Sequence, residues 1–215
     1  MKTIWLIRHA ESSANAGFAS ATPKSTPITE RGRQQSELLA QSFCEKPDLI
    51  ITSAYIRTKQ TAEPTIQRFS QVAQEEWPVE EYTYLEPSRY SNTTMAERKP
   101  FVEEYWKRGD PFYQDGHGAE TFAQFIERVQ NVLGLLQTRQ ETNIFVFTHG
   151  YFIRAVVWTL LQTSKAVDAK AMNSFHLFFE SIELPNTGII LCHSVSQTFF
   201  FGGISVSHLN RIVTG

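Results

Sequence analysis

The side chains best suited to chemistry in this 215-residue sequence lie where apolar runs end. Arg8 and His9 directly follow an apolar run near the N-terminus, His149 follows a second run, and Arg57 comes one helical turn after a third. An arginine holds phosphate through a planar bidentate fork and keeps its charge. Two such cations favour the neutral form of a nearby imidazole, which is a competent nucleophile toward phosphorus. These four residues therefore predict a pocket for a phosphoryl group.

The elements that must position them follow from the alternation of short apolar runs with amphipathic stretches, which is typical of an α/β protein. Strands are predicted at 3–7, 49–52, 143–148, 188–192 and 198–201, with a weaker candidate at 82–84 and a hairpin turn at 194–197. Active sites of parallel sheets lie at the carboxyl ends of the strands. The expected fold is a three-layer sandwich with a mostly parallel central sheet and helices on both faces.

Helices are predicted between these strands. Their expected ranges are 30–43, 54–69, 93–108, 120–137, 151–161 and 165–175. Thr29 and Ser53 are the expected N-caps of the first two helices, and Pro64 is expected to kink or restart the second. Residues 86–118 are rich in Pro, Arg, Asn and Gly, so we expect them to form a small cap inserted over the sheet of a single domain, 1–215.

Composition is that of an ordinary globular protein, with 41% hydrophobic residues, 20% charged residues and a net charge of -2. Such a balance argues against nucleic-acid binding, and the apolar runs are too short to span a membrane. Cys44 and Cys192 lie in apolar contexts and are expected to be buried, reduced thiols. Because a strand that carries the predicted site begins almost at residue 1, no signal peptide is expected, and a cytoplasmic location is predicted.

A leaving oxygen must also receive a proton, and Glu86 at the end of the run 82–85 is the candidate acid. A zinc site using His9 and His149 is disfavoured because the neighbouring arginines repel a cation. Trp106, Lys107 and Arg108 fit an ordinary basic helix terminus better than a substrate grip.

Three ordered motifs resemble those of the histidine phosphatase superfamily, the phosphoglycerate mutase-like or "RHG" family. The resemblance covers essentially the whole chain, and its motifs are Arg8-His9-x-Glu11-Ser12-x-x-Asn15, Ser53-x-x-x-Arg57-Thr58-x-Gln60-Thr61-Ala62 and Thr148-His149-Gly150, with Thr29-Glu30-Arg31-Gly32 and Pro185-Asn186-Thr187-Gly188 as further matching segments.

The resemblance implies that His9 is the nucleophile and becomes a phosphohistidine. It implies that Arg8, Arg57 and His149 hold the phosphoryl oxygens, that Asn15 is a further donor, and that no metal ion or other cofactor takes part. Glu86 would protonate the leaving group and then activate water.

Departures from the family pattern bear on the expected reaction. Ala10 replaces the usual glycine, Ala14 replaces the tryptophan of mutases, and the segment after Glu86 differs from theirs. The chain also lacks the mutases' Gly-Leu-Asn segment, so hydrolysis of a small phosphomonoester is preferred. The alternatives are a cofactor-dependent phosphoglycerate mutase and a non-catalytic protein that binds phosphorylated ligands. The sequence specifies neither the substrate nor the oligomeric state.

Overall fold

The structure is a computed structural model that describes residues 1–19, 21–196 and 198–212. Within these ranges the central sheet has six strands, which are β1 (Lys2–Arg8), β2 (Leu49–Thr52), β3 (Ala73–Glu76), β4 (Asn143–Thr148), β5 (Ile189–Val195) and β6 (Thr198–Ser205). Their spatial order is β3-β2-β4-β1-β5-β6. The first four strands pair in parallel, and β5 and β6 add antiparallel pairs at one edge. The predicted α/β class is confirmed.

Helices cover both faces of this sheet. They are α1 (Glu30–Ser42), α2 (Ile56–Arg68), α3 (Pro87–Tyr90), α4 (Met95–Arg108), α5 (Phe122–Thr138), α6 (Gly150–Leu161) and α7 (Ala169–Ser181), followed by a 3-10 helix at Ser207–Ile212. Helices α1 and α2 pack on one face, and α4 to α7 contribute to the core on the other. No helix of the described residues is long and apolar enough to cross a membrane.

The two cores are built from the alternation of side chains along the central strands. Ile144 and Val146 of β4 point into one core, whereas Phe145 and Phe147 point into the other. All four are fully buried. Each such side chain contributes about 1.5–3 kcal/mol relative to an exposed one. This two-sided burial explains why the strand is a continuous apolar run, and it fixes where the following residues emerge.

Helix starts agree with the predictions in one case and differ in another. The side chain of Thr29 accepts a hydrogen bond from the N–H of Gly32 at 3.0 Å and caps α1 as predicted. Helix α2 begins at Ile56 rather than at residue 54, and its N-cap is Tyr55. The hydroxyl of Ser53 instead accepts from the N–H of Tyr55 at 3.2 Å and lies 2.9 Å from the hydroxyl of Thr58. Pro64 lies inside α2, which continues through it to Arg68.

Several other predictions were wrong in detail. The segment 82–84 is not a strand, and the edge strand β3 was missed because its largely exposed residues Ala73–Glu76 lack an apolar pattern. Cys44 is exposed, whereas Cys192 is buried as expected. The last helix runs over Ala169–Ser181 instead of 165–175. Strands β5 and β6 form the predicted hairpin, although Gln197 of its expected turn lies outside the described residues.

Helices α3 and α4 lie in the predicted cap segment, 86–118. Helix α4 begins with a capping box in which Thr94 and Glu97 satisfy each other's backbone N–H groups. Tyr105 and Trp106 near its end are buried in the core on the α5–α7 face of the sheet. The segment thus shares a core with the sheet while its first half reaches the cavity described next. Its description as a cap on a single domain, 1–215, stays a prediction.

Candidate active site

A cavity of about 200 Å³ opens where the carboxyl ends of neighbouring strands meet. Strands β2, β4 and β1 are adjacent in the sheet, so the residues after them converge. The lining residues are Arg8, His9, Ser12, Ala14, Asn15, Pro23, Thr26, Arg57, Glu81, Tyr82, Thr83, Tyr84, Leu85, Tyr90, Met95, Arg98, Val102 and Tyr151. The predicted residues Arg8, His9, Arg57 and Asn15 are therefore brought together in one place.

His9 is buried against this cavity with a defined tautomer. Its Nδ1 lies 2.8 Å from the carbonyl oxygen of Ala10. A carbonyl can only accept, so Nδ1 carries the proton and the lone pair is on Nε2. Burial, followed by the positive charges of Arg57 and Arg8, holds the pKa of His9 well below its usual value. The imidazole is therefore neutral at physiological pH, with Nε2 able to act as a nucleophile.

Three residues from elsewhere in the chain bind the backbone around His9 through hydrogen bonds. Thr61 of α2 accepts a hydrogen bond from the N–H of Ala10 at 2.9 Å. The amide Nδ2 of Asn186 donates to the carbonyl oxygen of His9 at 2.9 Å. The N–H of Thr187, a buried residue with a φ of 59°, donates to the carbonyl oxygen of Arg8 at 3.1 Å. Strained backbone of this kind persists where the surroundings fix it.

Arg8 and Arg57 supply the positive charge of the cavity. Burial lowers the pKa of Arg57 to about 10 and lowers that of Arg8, and the carboxylate of Glu81 opposes both shifts. Both guanidinium groups stay charged at neutral pH. Nε of Arg8 is buried and has no hydrogen-bond partner among the described residues. A buried donor without a partner is costly, and an anion in the cavity would relieve that cost.

Gly150, at the start of α6, makes room for this cluster. A Cβ atom at this position would lie 3.1 Å from Nη1 of Arg154 and 3.5 Å from Nε of Arg8. The absence of a side chain lets two guanidinium groups pack beside the end of β4. The Thr148-His149-Gly150 motif therefore has a steric reason as well as a chemical one.

His149 lies behind Arg57 and is fully buried. Nη2 of Arg57 donates to its Nδ1 at 3.0 Å, so Nδ1 must be unprotonated. The proton is then on Nε2, which lies 2.8 Å from the hydroxyl of Ser53. Burial and the charge of Arg57 keep the pKa of His149 well below its usual value. In this arrangement both ring nitrogens are engaged by protein groups, and His149 contacts Arg57.

Glu81 is the carboxylate of the cavity, and the sequence prediction missed it. Its Oε1 accepts a hydrogen bond from the N–H of Tyr151 at 2.9 Å, which fixes the side chain at the start of α6. Burial lowers the pKa of Arg8, Arg57 and Arg154, and the charge of Glu81 partly opposes this lowering at all three. The sequence signal was a glutamate at the beginning, not at the end, of the aromatic run that lines the cavity.

Glu86 lies elsewhere and does not line the cavity. Its side chain packs over Gly116, where a Cβ atom would come within 2.8 Å of Glu86 Cδ. Its N–H donates to Oδ2 of Asp115 at 2.9 Å. The expectation that Glu86 faces the nucleophile is therefore corrected, because the chain turns into α3 at this residue and directs the side chain toward the 110–118 loop.

Asn15 lies at the edge of the cavity in an orientation fixed by its amide oxygen. Oδ1 accepts hydrogen bonds from the hydroxyl of Ser12 at 3.0 Å and from Nδ2 of Asn186 at 3.1 Å. This leaves the Nδ2 hydrogens of Asn15 as donors to a ligand. A role in binding phosphate is compatible with that orientation.

The Trp106-Lys107-Arg108 segment does not line the cavity. Trp106 is buried and stacks on His176 with ring centroids 4.4 Å apart. Arg108 is exposed, lies 3.8 Å above the ring of Tyr113 and pairs with Glu104 at 3.6 Å. This agrees with the interpretation of the segment as a basic helix terminus.

Among the described residues there is also no group of three His, Cys, Asp or Glu side chains able to hold a metal ion.

Known proteins of similar sequence and fold are phosphatases. The chain is 25% identical over 189 residues to adenosylcobalamin/alpha-ribazole phosphatase of Escherichia coli (strain K12), which covers 81% of this chain and 84% of that protein. A mutant phosphoserine phosphatase from Entamoeba histolytica in complex with phosphoserine has a TM-score of 0.71 at 22% identity, covering 97% of this chain and 100% of that one.

A mycobacterial glucosyl-3-phosphoglycerate phosphatase shares the fold with a TM-score of 0.71 at 17% identity, covering 94% of this chain and 97% of that one. The family model described as histidine phosphatase superfamily (branch 1) matches residues 4–182, a range that includes every cavity residue named above. The chain belongs to the histidine phosphatase superfamily, branch 1.

Proposed function

We propose that this protein hydrolyses small phosphomonoesters through a phosphohistidine formed on Nε2 of His9. The observation that carries the proposal is the state of His9, a neutral imidazole whose Nδ1–H is held by the Ala10 carbonyl while Arg8 and Arg57 flank the cavity. A nucleophile with a free lone pair beside two permanent cations is suited to attack on phosphorus.

In the first step the lone pair of Nε2 attacks phosphorus and the bond from phosphorus to the ester oxygen breaks. The protonated form of Glu81 gives its proton to that oxygen, so the leaving group departs as an alcohol. The ring acquires positive charge as the new P–N bond forms. The Ala10 carbonyl accepts the Nδ1–H and stabilises that charge.

In the second step water attacks the phosphohistidine from the side that the alcohol has left. The carboxylate of Glu81 takes a proton from the water, the P–N bond breaks, and neutral His9 and inorganic phosphate are restored. Arg8, Arg57 and the Nδ2 group of Asn15 bind the phosphoryl oxygens in both steps. Little covalent chemistry is asked of them, because phosphoryl transfer is accelerated mainly by positioning and charge.

His149 is proposed to act on the phosphoryl group chiefly by positioning Arg57. Its unprotonated Nδ1 accepts from Nη2 of Arg57, and Ser53 holds its other nitrogen. Direct contact between His149 and a phosphoryl oxygen, which the family resemblance implies, requires Nδ1 to exchange this bond and gain a proton.

A cytoplasmic location stays a prediction from the sequence.

The test is release of inorganic phosphate from a panel of phosphomonoesters by the wild-type protein, His9→Ala and His117→Ala. His117 is an exposed residue outside the cavity, so its variant is the matched control. We expect His9→Ala to lower kcat/KM by at least about 10³-fold, as loss of a nucleophile does, and His117→Ala to leave it unchanged.

Two outcomes would favour the alternative functions. A coupled mutase assay that shows transfer between hydroxyl groups only when 2,3-bisphosphoglycerate is added would indicate a mutase. Binding of phosphorylated ligands with no phosphate released from any ester would indicate a non-catalytic binder.

A further inference from the structure

Arg98 is a third arginine of the cavity, and the proposed reaction does not use it. It lies in the first turns of α4 and is 8% exposed. Its Nη1 donates to the carbonyl oxygen of Thr93 at 2.6 Å and lies 3.0 Å from that residue's hydroxyl. The guanidinium lies 5.0 Å above the ring of Tyr90. The side chain is thus held in place by Thr93 and Tyr90, and the residue lines the cavity.

Arg98 has no carboxylate partner of its own. No ion pair joins it to an acidic side chain in the part of the chain that the structure describes. Its neighbour Glu97 is exposed and directed at Thr94, in the capping box of α4.

Three arginines of the described residues are buried, Arg57, Arg98 and Arg154, and none of them forms an ion pair with a carboxylate. Arg154 lies outside the cavity lining and donates to the carbonyl oxygens of Ile182 and Gly150, whereas Arg57 and Arg98 both line the cavity. A cation removed from water without a counter-charge is costly. A bound ligand can supply the missing anion only where the cation reaches a cavity, and Arg98 lines the same cavity as His9.

The other lining residues of the cavity strengthen the need for an anion beside Arg98. Leu85, Met95 and Val102 are apolar, and Tyr84 and Tyr90 present aromatic surface. A guanidinium beside apolar and aromatic walls attracts an anion more strongly than one surrounded by bulk water. The volume of about 200 Å³ is below that of pockets for drug-sized ligands, so the cavity fits a small molecule.

We propose that Arg98 binds a second anionic group of the substrate, a carboxylate or a second phosphate, and that the enzyme therefore prefers small phosphomonoesters that carry one. This inference rests on the proposed hydrolysis at His9. Arg8 and Arg57 bind the phosphate that is transferred, and Arg98 selects the molecule to which it is attached. It is a specificity residue, distinct from the groups that act on the reacting phosphorus.

The test compares paired substrates that differ in one charge. For the carboxylate the pair is 3-phosphoglycerate and glycerol 3-phosphate, and for the phosphate it is fructose 1,6-bisphosphate and fructose 6-phosphate. We expect wild-type kcat/KM to be at least about tenfold higher for the doubly anionic member of one pair, since a pocket built to bind a polar group rejects the analogue that lacks it. The pair that shows the preference identifies the anion.

The variants are Arg98→Met, Arg98→Lys and the control Arg108→Met. Arg108 is on the same helix and also stacks on an aromatic ring, but it does not line the cavity. Arg98→Met should remove the preference while kcat/KM for the singly anionic analogue changes less than about threefold. Arg98→Lys should retain part of the preference, because it keeps the charge without the fork. Arg108→Met should keep all of it.

The outcomes separate this inference from the proposed function. Equal losses on both members of a pair in Arg98→Met would indicate a purely structural role and overturn the inference. A wild-type protein that hydrolyses phosphomonoesters with no preference for a second anion would also overturn it, and that result needs no variant to fold. If no phosphomonoester is hydrolysed at all, the proposed function itself fails.

Discussion

Replacing Glu81 by glutamine tests the assignment of the proton donor. The amide oxygen of glutamine can still accept the hydrogen bond from the N–H of Tyr151, so the side chain should stay in place. The change removes the ionisable proton and one negative charge beside Arg8 and Arg57. Binding of phosphate should therefore not weaken, and the loss should fall on the chemical steps.

The size of that loss depends on the leaving group. A positioned general acid is worth about 10² to 10⁴ in rate, or about 3 to 5 kcal/mol of activation free energy. An alkyl phosphate needs the whole of this assistance, because its alkoxide leaves poorly. Nitrophenolate leaves without a proton, so kcat/KM for nitrophenyl phosphate should fall less than about tenfold.

The second step adds a distinct signature to Glu81→Gln. Water must still be activated whichever ester has reacted, so the phosphoenzyme should accumulate. With nitrophenyl phosphate, a rapid burst of nitrophenol close to one equivalent per enzyme should precede slow turnover. Stopped-flow absorbance measures the burst, and phosphate release from an alkyl phosphate measures the loss of kcat/KM for an ester with a poor leaving group.

Glu86→Gln is the matched control, because Glu86 packs over Gly116 outside the cavity. It should change kcat/KM less than about threefold on both substrates. Equal losses on the two leaving groups in Glu81→Gln, or the leaving-group pattern appearing in Glu86→Gln instead, would refute the reasoning.

Three further predictions concern stability and cofactors. Gly32→Ala would place a Cβ atom 2.3 Å from the carbonyl oxygen of Glu11, so thermal unfolding should show that the free energy of unfolding falls by about 1–3 kcal/mol. Gly134→Ala, with nothing within 4 Å of the added Cβ, should be neutral or stabilising. Equal effects of the two substitutions would contradict this steric account. Burial lowers the pKa of His9 and His149, so between pH 6.5 and 5 the unfolded chain binds protons that the folded protein does not, and the free energy of unfolding should fall by up to about 1.4 kcal/mol per pH unit for each histidine. Urea titrations should show a shallower slope in His149→Gln, and an unchanged slope would argue against a neutral His149. A chelator should leave activity unchanged, since arginines supply the positive charge; inhibition reversed by a divalent metal would overturn the metal-free mechanism.

The sequence was sufficient for the parts of the site that follow strand ends. Arg8 and His9 come directly after β1, and His149 comes directly after β4, its parallel neighbour. Two buried strands that are adjacent and parallel must bring the residues after them together. Arg57 was predictable because α2 starts just after β2 and packs its first turn against the same edge.

Glu81 could not be found in this way. It lies in a segment outside the sheet, and its hydrogen bonds from the N–H groups of Tyr82 and of Tyr151, at the start of α6, direct it at the cavity. Glu86 was chosen because it ended an apparent strand that did not form. The unpaired charge of Arg98 could not be predicted either, since a helical sequence pattern does not show which cation lacks a carboxylate partner. Tertiary contacts decide all three cases.

The central claim is that phosphate passes through Nε2 of His9, and trapping of the phosphoenzyme tests it most directly. Wild type and Glu81→Gln would be quenched in alkali during turnover of labelled nitrophenyl phosphate, because phosphohistidine is labile in acid. The labelled site would be identified by peptide mapping and NMR. We predict one labile phosphate on His9, attached at Nε2, with a higher yield in Glu81→Gln and none in His9→Ala. Turnover with no trapped phosphate, or phosphate on Nδ1 or on another residue, would contradict the account.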